Sequence, residues 1–142
     1  KDCFRALDNQ LQGLVSWRHR IKSSVRQTRR LHNCFGRQRI FFGRLEDATY
    51  REAYAFIPQS TIGDTLNFSL IDIEKRFDGR DDIQVLGQVH DSAFGQCTKD
   101  ALDFVKSNVV EVLQREMPMQ CYGVPLRIPC EFKTGANWKE TS

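Results

Sequence analysis

The chain has 142 residues, of which 40% are hydrophobic and 27% charged, with a formal net charge of +3. That size and apolar content suit one ordinary domain with its own core, and the absence of any 18-residue apolar run excludes a membrane span. Five cysteines, odd in number and with no Cys-x-x-Cys pair, favour neither a zinc site nor a disulfide framework, so reduced structural thiols in a cytoplasmic compartment are expected.

Residues 4 to 27 predict an amphipathic helix, because Phe4, Leu7, Leu11, Leu14, Trp17, Ile21 and Val25 recur every three or four positions. Between Asn9 and Leu45 there are nine Lys or Arg and no acidic residue. Those nine charges exceed the net charge of the whole chain, so the remainder is net acidic, an asymmetry that points to an anionic polymer near the N-terminal third. From Thr28 to Phe42, apolar residues lie between basic ones around Gly36, which predicts a short β-hairpin or an extended excursion with the basic tip Phe35-Gly-Arg-Gln-Arg39. Arg29, Arg37 and Arg39 are candidate phosphate contacts there.

A second helix is predicted from near Glu46 to Ala48 through about Phe77, with a kink or restart at Pro58 and a second half largely buried through Ile62, Leu66, Phe68, Leu70, Ile71 and Ile73. The polar turn Asp78-Gly-Arg-Asp-Asp82 leads to a tight hairpin, Ile83 to Cys97, with His90-Asp91 at its tip. A carboxylate on such a rigid turn is placed to hold a divalent metal, and the neighbouring imidazole to touch what the metal acts on. A third helix is predicted from Thr98 to Met117, ended by Pro118, and a last strand from Val124 to Ile128, continued through Cys130 to Phe132. The element order implies an α+β fold, an antiparallel sheet covered by helices on one face, with the His-Asp hairpin in it.

Arg51 and Gln59 lie eight residues apart, on one side of the second helix if it is continuous. An Arg and a Gln are suited to reading acceptors common to all base pairs in a minor groove.

These segments together resemble the C-terminal part of the palm of family A DNA polymerases, the group of bacterial DNA polymerase I and its phage relatives. Val89-His90-Asp91-Ser92 is similar to the family's motif C, usually Val-His-Asp-Glu. Arg51 to Asp64 resembles the helix along the primer-template, Phe35-Gly-Arg-Gln-Arg39 the segment before it, and Tyr122-Gly-Val-Pro-Leu126 with Gly135-Ala-Asn-Trp138 the closing strand and tail. The matches occur in order over nearly the whole chain. The resemblance implies a palm-type sheet and a single segment over residues 1–142. It implies Asp91 as a catalytic, Mg²⁺-holding carboxylate, His90 at the primer terminus, and Arg51 and Gln59 on the duplex minor groove. Primer-template DNA and dNTP would be the partners, and two Mg²⁺ ions would be shared with carboxylates outside this chain.

Two departures stand out: Ser92 replaces the usual Glu, and Ala55 the usual Asn. No motif A strand and no motif B fingers helix precedes residue 28. Lys1 also sits within a continuing pattern. The expectation is therefore a catalytic segment, inactive by itself, completed by an N-terminal polymerase segment in the cytoplasm of a bacterial or phage-infected cell. An exposed sheet edge and apolar face would favour self-association in isolation. The alternative expectation is a non-catalytic nucleic-acid-binding module, a degenerate polymerase remnant.

Overall fold

The computed structural model describes residues 9–117, 120–121 and 124–141. Phe4 and Leu7 of the predicted first helix, and Pro118, Tyr122 and Gly123 of the later segments, lie outside the described residues. The chain divides into two compact units, residues 1–61 and 62–142.

In the first unit, α1 (Gln12–Thr28) follows the expected period and buries Ile21 and Val25. It stops at Arg29, whose N–H still closes the last helical bond to the Val25 carbonyl and whose backbone is left-handed (φ 57°). A left-handed non-glycine residue costs about 1 kcal/mol, and here it turns the chain at once into the first hairpin. That hairpin pairs β1 (Arg30–His32) with β2 (Gln38–Ile40), Leu31 opposite Arg39. Leu31 and Phe41 join Ile21, Val25, Tyr50, Ala53 and Phe56 in one core, with Trp17 tilted against Tyr54 at 6.1 Å.

The long helix α2 (Asp47–Phe77) runs without a break across Pro58, so the chain does not restart there. Pro58 is on the exposed side. There, the carbonyl that loses its donor can turn to water instead of remaining orphaned in the core.

In the second unit, the rest of α2 buries Leu66, Ile73 and Phe77, while Ile62, Phe68 and Ile71 are exposed. The expectation of a largely buried second half is corrected for these three, because a helix packed on one side buries a single stripe however many apolar residues it carries. β3 (Ile83–Val89) and β4 (Ser92–Cys97) form the second hairpin, closed at its base by the Thr98 N–H to the Asp82 carbonyl at 3.0 Å. Its inward residues Ile83, Val85 and Cys97 pack with Ile73 and Phe77 of α2 and with Ala101, Val105, Val109 and Val112. Helices thus cover one face of this pair.

The helix predicted for 98–117 is shorter: a 3₁₀ turn, Lys99–Ala101, leads into α3 (Leu102–Leu113). Its apolar period runs out at Gln114-Arg115-Glu116, and Arg115 instead pairs with Asp72 of α2. The last strand is shorter too. Among the described residues the ladder covers only Val124–Pro125 (β6), with Gln120–Cys121 (β5), and beyond it the Leu126 carbonyl accepts the Met117 N–H at 2.8 Å. Pro125 and Pro129 donate no ladder hydrogen bond, which limits the pairing. A four-residue helix, α4 (Trp138–Thr141), follows.

The fold is α+β, its antiparallel strands distributed among three two-stranded ladders in the described residues. Among these residues no helix is long and apolar enough to cross a membrane.

Arg76 grips Glu111 with two bonds of 3.1 and 2.9 Å, clamping α2 to α3, and Arg80 grips Asp82 with bonds of 2.9 and 2.6 Å. Hydrogen bonding to Arg76 holds the Glu111 carboxyl below its ordinary range, and Arg80 does the same for Asp82. Depressed carboxylates stabilise the fold above the unfolded pKa, and the contribution disappears as pH falls through the folded value. Glu111→Gln should therefore flatten the fall of the urea midpoint between about pH 5 and pH 3. Because both partners are solvent-exposed, high salt should shrink the difference. A slope unchanged by the substitution would exclude this contribution.

Candidate functional site

The β3–β4 ladder pairs Gly87 with Phe94, Gln88 with Ala93 and Val89 with Ser92, leaving His90 and Asp91 as a two-residue turn. Only His90 of the two has positive φ, 54°, the sense of a type II′ turn, in which glycine is favoured at this position. A histidine held there costs on the order of 1 kcal/mol or more of backbone strain, so neighbours must over-determine it. One of them is Gln88, whose side-chain amide donates to the His90 carbonyl at 3.1 Å.

The register is further fixed by a bulge at Leu86, between the Val85 and Gly87 pairings. Opposite it stands Gly95, where a Cβ would come within 2.6 Å of the Gln84 carbonyl oxygen, so only glycine lets the strands close. A bulge shifts the pleat by one residue and so decides which face each tip side chain occupies.

Asp91 and His90 are exposed, and the Asp91 carboxylate makes no hydrogen bond or ion pair with the described residues. Its oxygen chemistry suits Mg²⁺, which binds through one or two carboxylates and keeps waters or substrate phosphates as its other ligands. Among the described residues no group of three or more His, Cys, Asp or Glu converges to hold a metal. Ser92 adds only a hydroxyl beside Asp91. The residues present therefore fit one arm of a Mg²⁺ site.

The remaining candidates fall in the first unit. Arg51 and Gln59 are exposed on α2, about 12 Å apart along its axis. Tyr50, Ala53 and Phe56 take the buried side of this stretch. Neither Arg51 nor Gln59 bonds another described side chain. Arg39 pairs with Glu52 at 2.7 Å and lies over the Phe41 ring. Both partners are about half exposed, so the pair contributes at most about 1 kcal/mol and a phosphate could displace the carboxylate. Arg29 differs: its guanidinium donates to the Gly43 carbonyl at 2.5 Å, which gives it a loop-holding role. Lys22 and Arg26 are likewise drawn onto Tyr50, Arg26 donating to its hydroxyl at 3.1 Å. The basic run is thus partly internal structure.

Sequence reasoning passed over Asn33. It is buried, its Oδ1 accepts the N–H groups of Phe35 and Arg37, and its amide donates to Ser60 of α2 at 3.2 Å. It organises the loop that presents Arg37. An Asn three residues before Gly36, preceding a basic tip, was the available signal.

No curated protein and no solved structure matches the chain at a significant level. The family model for DNA polymerase family A matches residues 1–140, nearly the whole chain. The hairpin turn, the exposed stripe of α2 and the basic loop all lie within that match, and the chain belongs to DNA polymerase family A.

Proposed function

We propose that this chain is a C-terminal palm segment of a DNA-directed DNA polymerase, in which Asp91 is the carboxylate that holds Mg²⁺ beside the primer 3′-hydroxyl. The observation that carries this reading is a carboxylate that bonds none of the described residues, at the tip of a register-locked hairpin, in a chain matched over residues 1–140 by this family. Bound Mg²⁺ would supply charge stabilisation for nucleotidyl transfer from a dNTP. The protein's own contribution is positional. The Leu86 bulge, Gly95 and the Gln88 bond to the His90 carbonyl fix where Asp91 stands, and His90, on the same turn, contacts the primer terminus. Arg51 and Gln59 donate to minor-groove acceptors of the primer-template duplex, and Arg37 and Arg39 contact its phosphates.

Two-metal chemistry needs more than one carboxylate, and Asp91 supplies one. The other comes from an N-terminal polymerase segment, with which this chain works in the cytoplasm of a bacterial or phage-infected cell. The test is template-directed primer extension by the chain together with that segment. Mg²⁺-dependent synthesis that stops when either component is omitted is the expected result.

One observation favours a second reading, a non-catalytic DNA-binding relative: Ser92 stands where the family usually has a second motif carboxylate. Salt-sensitive duplex binding with no synthesis in the complete mixture would establish it and overturn the first.

A further inference from the structure

The Gly135-Ala-Asn-Trp138 tail has no part in the chemistry described above, yet it ends against the hairpin that carries Asp91. The Trp138 ring meets Phe94 edge to face, with centroids 4.8 Å apart and planes at 89°. Phe94 in turn crosses the ladder to its partner Gly87, where a Cβ would lie 3.3 Å from the Phe94 Cζ. An aromatic ring laid over a cross-strand glycine supplies the packing that the glycine lacks, and an edge-on second ring holds its rotamer. The contact lies two ladder pairs from the His90–Asp91 turn.

The tail is built to hold this tryptophan. The Glu140 carboxylate accepts the Ala136 N–H and the Asn137 side-chain amide, both at 2.8 Å, and the Glu140 N–H returns to the Asn137 carbonyl at 3.1 Å. Gly135 packs so closely that a Cβ would sit 2.5 Å from the Glu140 Cβ. A loop so constrained fixes Trp138 at its end even though the side chain is 60% exposed.

We propose that Trp138, acting through Phe94 and Gly87, is a positioning residue for the His90–Asp91 turn. Its catalytic meaning rests on the polymerase reading given above; its structural claim does not. Trp138→Ala should speed hydrogen exchange of the β3 and β4 amides adjoining the turn by about tenfold while leaving α3 unchanged. Trp138→Phe, which keeps a ring edge on Phe94, should restore protection, and Phe94→Leu should reproduce the loosening. In the complete polymerase mixture, Trp138→Ala should lower kcat with little change in the KM for dNTP, and Trp138→Phe should recover it. Unchanged exchange near the turn, or equal loosening throughout α3, would overturn the proposal, as would a loosened turn with undiminished kcat. Loss of protection in a mixture whose unsubstituted form makes no DNA would sustain the brace and count against the polymerase reading alone.

Discussion

Asp91→Ala is expected to reduce Mg²⁺-dependent primer extension by the completed polymerase about a thousandfold or more. The scale follows from the several kcal/mol that a positioned metal contributes to a developing charge, each 1.4 kcal/mol being a factor of ten. Asp91→Asn should be nearly as severe, because it keeps the shape of the side chain and removes the charge. Folding cannot account for the loss: Asp91 is exposed and bonds no described residue, so its replacement should change stability by less than about 0.5 kcal/mol. Rates and urea midpoints measured on the same preparations separate the two effects. Full synthesis by the Asp91→Ala mixture would rule out the proposed role. His90→Ala should be milder, since it removes the proposed primer contact and leaves the Asp91 carboxylate in place.

Ile73→Ala should destabilise the second unit by about 2–4 kcal/mol. Ile73 is only 2% exposed and, with Phe77 on the same helix, packs in one cluster with Ile83, Ala101 and Val112. Removing a buried Ile side chain to Ala costs about 2–5 kcal/mol in lost transfer energy and residual cavity. The better helix propensity of Ala returns only about half a kcal/mol. Against a total stability of about 5–15 kcal/mol, this shift should be plain as a lowered urea midpoint at unchanged slope. Because the same cluster seats the base of β3–β4, the hairpin should also lose exchange protection. A midpoint within about 0.5 kcal/mol of the unsubstituted protein would show that the cluster does not pack as described.

Much of this was readable in the residues, wherever the signal was local. The period of Leu14, Trp17, Ile21 and Val25 defined α1, and Gly36 and the polar turn at 78–82 marked chain reversals that the structure contains. The apolar alternation into His90-Asp91 located the hairpin and its two-residue turn correctly. Misreadings arose where an apolar residue has more than one possible neighbour. Ile62, Phe68 and Ile71 look like core in a list of hydrophobic residues, but only one stripe of α2 is covered in the described structure. On α3, Val112 is buried, while the apolar Phe104 lies under the Arg80 guanidinium and remains 40% exposed.

The sequence by itself determined the order of elements, the identity of the turn that carries Asp91 and the family to which the chain belongs, because these depend on short-range periodicity and on motifs a few residues long. Tertiary structure decided which of the basic residues are spent on internal work, Arg29 on Gly43 and Arg26 on Tyr50, and which residues pack on the hairpin, Gly95 at the bulge and Trp138 on Phe94. Such commitments join residues far apart along the chain. A hydrogen bond or ring contact of that kind depends on how the intervening elements fold back, which no local pattern encodes.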